Sequence, residues 1–274
     1  KHLPAVTGRV VNNLDHTERF LWDFRRVIAD MWTENYYEYF AEMCHKNGLV
    51  LSCEPYGRPG NLDNFAVADV VDIPMGEWWV LKPVDFHNSS SKMSASAAHT
   101  NGRRFVGAEA FTAGRQGAAF VNHPCLLKAQ GDYYLSQGIN RFIFHTFVHQ
   151  PWEDDVLPGM TMGPWGFQNN RNNTWYEQGK AWNEYLARSQ YLLQEGTFQA
   201  DLLYYPGENA PQVAELKDDL QPALPRGYDY DMISRKNLMK LTVQDGRLVL
   251  PGLMEYRLLV MPEGPVRIEV LKKT

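Results

Sequence analysis

The stretch Arg104-Phe105-Val106-Gly107-Ala108-Glu109-Ala110-Phe111-Thr112 decides the fold class. Its apolar residues predict a buried strand, and Glu109 stands near the C-terminal end of that strand. A helix rich in small residues, predicted from Ser91 to Asn101, precedes it and stops at Gly102, a residue that suits a helix C-terminus. A helix, a glycine and a buried strand with a polar residue at its end are typical of a parallel α/β fold.

The same unit is predicted on both sides of this strand. Upstream, an apolar run over residues 49–54 ends at Glu54, and a weaker strand over residues 67–74 is followed by Gly76-Glu77-Trp78-Trp79. Downstream, a helix over residues 124–137 leads into a strand over residues 140–147. The remaining helices are predicted over residues 15–29, from Thr33 to Gly48, and over residues 174–195.

These units set an expectation for the domains. Residues 1–199 supply four or five of the eight units that a (β/α)8 TIM-type barrel needs, so we expect the C-terminal part of such a barrel. We also expect the natural protein to extend upstream of Lys1. From residue 200 the pattern changes to short strands and a hairpin, which predicts an incomplete second α/β domain over residues 200–274.

Composition excludes several classes of protein. The 274 residues are 44% hydrophobic, and the net charge of −5 argues against a basic nucleic-acid binder. No apolar stretch approaches the roughly 18–20 residues that cross a bilayer. Three cysteines rule out a disulfide framework. Nucleotide-binding glycine motifs, the nucleophile-elbow motif and zinc-binding spacings do not occur, so no nucleotide cofactor is expected.

Three glutamates, Glu54, Glu77 and Glu109, lie at or near the ends of predicted strands and should converge at one edge of the sheet. Glycoside hydrolysis needs two carboxyl groups, one to protonate the leaving oxygen and one to activate water or attack directly. We interpret Glu77 and Glu109 as the residues that activate water or bind a metal, and Glu54 as the general acid. The residues alone leave these roles open. The alternative is a set of rim salt bridges with Arg58, Arg103 or Arg104.

Aromatic and polar side chains around these strand ends are candidates for sugar contacts. The chain has 8 Trp, 14 Tyr and 13 Phe, and many of them lie in loops beside glycine, proline and asparagine. Such rings can stack on the apolar face of a sugar while polar groups take its hydroxyls. Each histidine could equally be a structural residue. The candidates are Trp78, Trp79, Trp152, Trp165 and Trp175 for stacking, and His99, His145, Asn140 and Arg171 for polar contacts.

A set of motifs resembles glycoside hydrolase family 106, the α-L-rhamnosidases. They are Phe20-Leu21-Trp22-Asp23-Phe24-Arg25-Arg26, Ser96-Ala97-Ala98-His99, Ala108-Glu109-Ala110-Phe111-Thr112, Gly138-Ile139-Asn140-Arg141-Phe142, His149-Gln150-Pro151, Pro158-Gly159-Met160-Thr161, Arg171-Asn172-Asn173-Thr174-Trp175, Tyr185-Leu186-Ala187-Arg188 and Gly227-Tyr228-Asp229-Tyr230-Asp231. The resemblance extends over nearly the whole chain and rests on these motifs together and in this order.

The resemblance implies a barrel followed by an amidotransferase-like (flavodoxin-like) α/β domain, an inverting mechanism and a calcium ion near the sugar hydroxyls. We therefore expect a glycosidase that acts on terminal α-L-rhamnosyl linkages of a glycan, without a nucleic-acid partner or a membrane span. A secreted or periplasmic location is favoured over a cytoplasmic one. Two alternatives stay open: a non-catalytic carbohydrate-binding protein on the same barrel, and a retaining β-galactosidase-like hydrolase.

Overall fold

A computed structural model describes residues 1–56, 60, 62–80, 88–114, 120–153, 155–250 and 254–274. Its central feature is a four-stranded parallel sheet in the order β1-β2-β3-β4. These strands are β1 (Ser52–Cys53), β2 (Ile73–Trp79), β3 (Gly107–Thr112) and β4 (Arg141–Phe144). The chain therefore has the expected α/β fold with a parallel sheet, and the C-terminal ends of its four strands share one edge.

Helices connect and flank these strands. They are α1 (Leu14–Trp32), α2 (Tyr39–Lys46), α3 (Asn64–Val70), α4 (Ser90–Thr100), α5 (Pro124–Ser136), α6 (Lys180–Glu195), α7 (Arg235–Leu238) and α8 (Ile268–Lys273). Helix α1 begins where the Asn13 side chain accepts a hydrogen bond from the His16 N–H at 2.8 Å, a typical N-cap. A short 3₁₀ helix, Leu3–Thr7, precedes it.

The helical start predicted at Thr33 is wrong. Thr33 has helical backbone angles, and its hydroxyl donates to the Ala29 carbonyl one turn back at 3.1 Å. A π-helical segment, Thr33–Glu38, joins α1 to α2 without a break. A threonine in mid-helix satisfies its hydroxyl in this way, so its presence does not by itself mark a helix start.

The first half of the strand predicted over residues 67–74 is helix. Asp63 caps α3 by accepting from the Ala66 N–H at 3.0 Å, and β2 begins only at Ile73. Gly76 and Glu77 therefore lie within a strand rather than after one. A short apolar run fits a buried helix or a strand equally well, and here the aspartate cap favours the helix.

The downstream residues form two smaller sheets. One is parallel in the order β10-β5-β6, and the other is antiparallel in the order β7-β8-β9. Their strands are β5 (Leu202–Tyr204), β6 (Tyr230–Met232), β7 (Thr242–Gln244), β8 (Arg247–Val249), β9 (Glu255–Tyr256) and β10 (Leu258–Val260). Assignment of this part to the flavodoxin-like class stays a prediction.

The main core lies between the four-stranded sheet and helices α4, α5 and α6. Trp78, Phe111, Tyr134, Phe167 and Trp182 form its aromatic centre, and the Trp78 ring stacks on Tyr134 with centroids 4.3 Å apart. This core supports the sheet from one side and leaves the strand ends accessible. Among the described residues, no helix is both long and apolar enough to cross a membrane.

Candidate active site

Three carboxylates meet at the C-terminal edge of the four-stranded sheet. Glu77 and Glu109 are direct partners in the register of β2 and β3, so their side chains leave the sheet on the same face. Glu54 follows β1 immediately. One oxygen from each carboxylate lies within 4.8 Å of the other two, and all three side chains are partly buried. The predicted convergence of strand-end glutamates is thus present in the geometry.

The backbone beneath Glu77 is fixed by close packing of α4 on β2. A Cβ added to Gly76 would lie 2.5 Å from the Ser91 Cα, so only glycine permits this approach. The Glu77 N–H donates to the Ser90 hydroxyl at 3.1 Å, and the Ser91 hydroxyl donates to the Glu77 carbonyl at 3.4 Å. On the next strand, the Thr112 hydroxyl donates to the Glu109 carboxylate. Hydroxyl groups therefore hold the backbone of Glu77 and the carboxylate of Glu109 in place.

Crowding and burial perturb two of these carboxyl groups. Burial, followed by the charges of Glu109 and Glu77, raises the pKa of Glu54 to about 7. Burial and the charge of Glu109 also raise the pKa of Glu77, against the opposing effects of Trp79, Tyr56 and the charge of His145. A carboxyl group with a pKa near neutrality can hold a proton and release it, which is what a general acid requires.

Tyr56, which the sequence analysis did not select, borders the same cluster. Its hydroxyl is buried without a hydrogen-bond partner among the described residues, and its proximity lowers the pKa of Glu54 and of Glu77. Burial and the charges of all three glutamates raise the pKa of the Tyr56 phenol, so the hydroxyl stays protonated and available as a donor. The available signal was its position two residues beyond Glu54.

Two of the predicted sugar contacts, Trp79 and His145, lie beside the cluster. Trp79 and the charge of His145 both lower the pKa of the Glu77 carboxyl group, against the larger effect of burial. His145 follows β4 directly, where its N–H donates to the Ala110 carbonyl at 3.0 Å. Its Nδ1 is buried without a hydrogen-bond partner among the described residues. Aromatic and imidazole groups thus stand next to the carboxylates.

Arg171 braces the loop that follows β4. Its guanidinium donates to the Gln150 carbonyl at 3.3 Å and to the Trp152 carbonyl. Asn172 supports the same loop by donating to the Pro158 carbonyl at 3.0 Å. These contacts give Arg171 a role in shaping the loop, while its predicted contact with sugar stays a prediction.

Two of the predicted stacking residues pack in or against the core. Trp78 is fully buried between Tyr134, Phe111 and Phe142, because alternation along β2 turns it away from the face that carries Glu77. Trp175 is partly buried against Trp182, and its indole N–H donates to a main-chain carbonyl, that of residue 122, at 2.8 Å. For Trp78 we therefore correct the sugar-stacking interpretation to core packing, and for Trp175 the stacking interpretation stays a prediction.

His99 and Asn140 lie away from the glutamates. His99 is in the last turn of α4, where its Nδ1 is 2.9 Å from Asp231 and its ring stacks on Phe198. Asn140 precedes β4, at the opposite end of the sheet from Glu109. Its side chain closes a pair of hydrogen bonds, accepting from the Val106 N–H at 2.9 Å and donating to the Arg104 carbonyl at 2.8 Å. Both are structural residues, which corrects their assignment as sugar contacts.

Two of the three arginines proposed for rim salt bridges bind other groups instead of the glutamates. Arg103 donates to the carbonyls of Ala68 and Asp69, and Arg104 pairs with Glu195. Arg58 lies outside the described residues. Within the part of the chain that the structure describes, Glu54, Glu77 and Glu109 form no salt bridge.

Comparison with known proteins gives consistent matches. The profile of a glycoside hydrolase family described as alpha-L-rhamnosidase matches residues 1–274. The solved structure of a rhamnosidase from Novosphingobium sp. PP1Y superposes with a TM-score of 0.83 and 32% sequence identity, over 99% of this chain and 26% of the other. A protein of Formosa agariphila, provisionally named beta-glucuronidase, is 45% identical over 273 residues, which are 99% of this chain and 22% of that protein. The chain thus spans about a quarter or less of the length of each relative.

Proposed function

This chain belongs to glycoside hydrolase family 106, the alpha-L-rhamnosidase family, and on that premise we propose that it supplies active-site carboxylates to an enzyme that hydrolyses terminal α-L-rhamnosyl linkages. The observation that carries the proposal is the convergence of Glu54, Glu77 and Glu109 within 4.8 Å at the C-terminal edge of a parallel sheet. Active sites of (β/α)8 barrels lie at this edge, and we propose that the four strands are part of such a barrel.

The proposed roles follow from the electrostatics of the cluster. Glu54, whose pKa is about 7, is protonated for part of the time at neutral pH and donates its proton to the leaving glycosidic oxygen. Glu109 orients the attacking water and accepts its proton, while the Thr112 hydroxyl donor holds its carboxylate in place. Glu77 also helps to activate the water, and the hydrogen bond from its N–H to the Ser90 hydroxyl holds its backbone in place.

The donor set fits the calcium ion that the family resemblance implies. Three carboxylates with oxygens within 4.8 Å of one another are hard oxygen ligands, and burial together with their mutual repulsion raises the pKa of Glu54 and of Glu77. Glu77 and Glu109 would hold the ion, with Glu54 as the nearest third carboxylate. When bound, calcium would neutralise this charge and bind hydroxyl oxygens of the sugar. The ion stays part of the proposal.

The same charges favour a neutral sugar. A glucuronide carries a carboxylate, which in the absence of bound calcium would meet the carboxylates of Glu77 and Glu109, and like charges at short range repel in a partly buried site. A rhamnoside carries no charge, and its methyl group adds apolar surface. The proposed substrate is therefore a rhamnose-containing glycan, although the Formosa agariphila relative has a name that points to glucuronides. Polymeric glycans are found outside the cell, which supports a secreted or periplasmic location.

Activity of the full-length enzyme tests this proposal. The enzyme should release the aryl group from an aryl α-L-rhamnoside, and it should act much more slowly on the matching β-D-glucuronide. A non-catalytic carbohydrate-binding protein would retain rhamnose on an affinity column but release no aryl group. Preference for the glucuronide would overturn the choice of sugar and leave the glycosidase assignment standing.

The stereochemical outcome needs its own measurement. An inverting pair stands roughly 6.5–9.5 Å apart and a retaining pair about 5–5.5 Å. Inversion is implied by the family, whereas the approach of the glutamate oxygens to within 4.8 Å favours the retaining alternative. Proton NMR of the first anomer released from an α-rhamnoside decides: β-L-rhamnose supports inversion, and α-L-rhamnose supports retention.

A further inference from the structure

Trp165 presents an exposed aromatic ring beside the glutamate cluster. About 40% of the residue is exposed, which is high for a tryptophan among packed neighbours. Its ring meets the Trp79 ring edge to face, with centroids 5.6 Å apart and planes at 86°. Because Trp79 lies two residues after Glu77 on β2, its side chain is on the same face of the strand, and a single aromatic ring separates Trp165 from the cluster.

The backbone around Trp165 is tied to the ends of two strands. The Gly166 N–H donates to the Ala113 carbonyl, next to β3, at 2.6 Å, and the Phe167 N–H donates to the His145 carbonyl, next to β4, at 3.1 Å. The Gln168 side chain donates to the Trp165 carbonyl at 2.8 Å. The exposed ring is therefore positioned before any ligand arrives, so ordering it for binding needs little entropy.

Gly114 makes room for the paired rings. A Cβ at this position would lie 2.9 Å from the Trp165 ring and 3.3 Å from the Trp79 ring. Across a two-residue turn, Met162 forms an antiparallel bridge with Trp165 and is 52% exposed. Trp165 and Met162 thus give the loop an apolar surface next to the carboxylates.

We infer that Trp165 is a specificity-determining residue whose ring stacks on the apolar face of the sugar unit seated at the glutamates. The inference rests on the rhamnosidase proposed above. A pyranose offers C–H groups to an aromatic face, and a 6-deoxy sugar adds a methyl group where other hexoses carry a hydroxymethyl group. The Trp165 ring therefore favours neutral 6-deoxy sugars over sugars with a polar C6 group.

We test the inference with the variants W165A and W165F of the full-length enzyme. The control is W22A, which removes an indole from α1, where Trp22 donates to Asn209. The substrates are an aryl α-L-rhamnoside and the matching α-L-mannoside, which differs only at C6, and free L-rhamnose is the competitive inhibitor. We expect W165A to raise both the KM of the rhamnoside and the inhibition constant of L-rhamnose about 10- to 100-fold, with little change in kcat. W165F should restore most of the affinity, and W165A should lose preference for the rhamnoside.

Other outcomes overturn the inference. An unchanged inhibition constant for L-rhamnose in W165A would show that the ring does not contact this sugar unit. A fall in kcat that W165F shares, at unchanged KM, would assign Trp165 a structural role. If the wild-type enzyme cleaves no rhamnoside, the proposed function fails. Calorimetric binding of L-rhamnose to wild type and W165A still tests whether Trp165 contacts the sugar. If W165A does not fold, W165L replaces it and is compared with W165F.

Discussion

At the scale of single residues, Glu109 gives the most direct test of the proposed chemistry. Glu109→Gln keeps the shape of the side chain and can still accept from the Thr112 hydroxyl, but it removes the charge. We expect kcat to fall about 10²- to 10⁴-fold because general base catalysis is lost, with an unchanged melting temperature. Glu195→Gln, which removes an exposed acid that pairs with Arg104, is the control and should retain full activity. A Glu109→Gln enzyme with more than about a tenth of wild-type kcat would contradict the role.

Glu54 allows a test that depends on the leaving group. Its pKa of about 7 predicts that kcat/KM falls as the pH rises above neutrality, because the acid loses its proton. Glu54→Gln should abolish that alkaline limb and should impair a poor leaving group, such as an alkyl alcohol, far more than a nitrophenolate that leaves unprotonated. Equal losses on both substrates would exclude Glu54 as the acid. The pH–rate profiles of both enzymes on both substrates make the comparison.

The sequence predicted the convergence of the three glutamates because each lies in or directly after an apolar run, and such runs form the neighbouring strands. It misplaced Trp78 and His99 because their environment depends on distant residues. Trp78 is buried by Tyr134 from α5, and His99 is held by Asp231 from β6. A local pattern gives the spacing of side chains along a chain but not the element that will pack against them.

At the scale of elements, the contact between α4 and β2 controls the position of Glu77. Gly76→Ala would place a Cβ 2.5 Å from the Ser91 Cα, and a backbone atom cannot rotate away. We expect the helix to shift, stability to fall by about 1–3 kcal/mol and kcat to fall as Glu77 moves. Thermal unfolding and kinetics of the full-length enzyme measure both effects. Gly264→Ala, where a Cβ meets nothing within 4 Å, is the control. An unchanged kcat would show that Glu77 does not depend on this packing.

The elements differ in how well the sequence predicts them. Strand β3 lies within its predicted range, and helix α4 begins and ends one residue before its predicted bounds. A run of small residues that ends at a glycine and an apolar run are both strong local signals. The strand predicted over residues 67–74 was wrong because a short apolar run fits either structure, and the Asp63 cap favours the helix. The continuation of α1 into α2 was not predicted, because Thr33 resembles the N-cap of a new helix in sequence alone.

At the scale of the whole molecule, a buried ionic network joins the four-stranded part to the downstream sheets. Asp231 on β6 is fully buried and accepts hydrogen bonds from Ser96 at 3.0 Å and Tyr256 at 3.0 Å, besides its contact with His99. Lys92, 1% exposed, lies 3.9 Å from Asp231 and 3.5 Å from Asp229. Such pairing over more than 130 residues of chain cannot be derived from local sequence.

Asp231→Asn should loosen this junction. The amide removes the buried counter-charge of Lys92 and one acceptor oxygen, and a broken buried ion pair costs about 3–5 kcal/mol. We expect a lower melting temperature at neutral pH and faster hydrogen exchange in residues 90–100 and 230–232. Asp218→Asn, at an exposed position outside the network, is the control and should leave both measurements unchanged.

The pH dependence of the difference between wild type and Asp231→Asn identifies the charge as its cause. Burial raises the pKa of Asp231, but His99 and then Lys92 and Tyr256 outweigh it, so the pKa in the folded protein lies below the ordinary value. A carboxylate with a lowered folded pKa contributes stability above its unfolded pKa of about 3.9 and loses that contribution as the pH falls through the folded value. The gap in melting temperature should therefore be full at neutral pH and narrow below about pH 4. A gap that stays constant into the acid range would mean that the amide disturbs packing rather than charge.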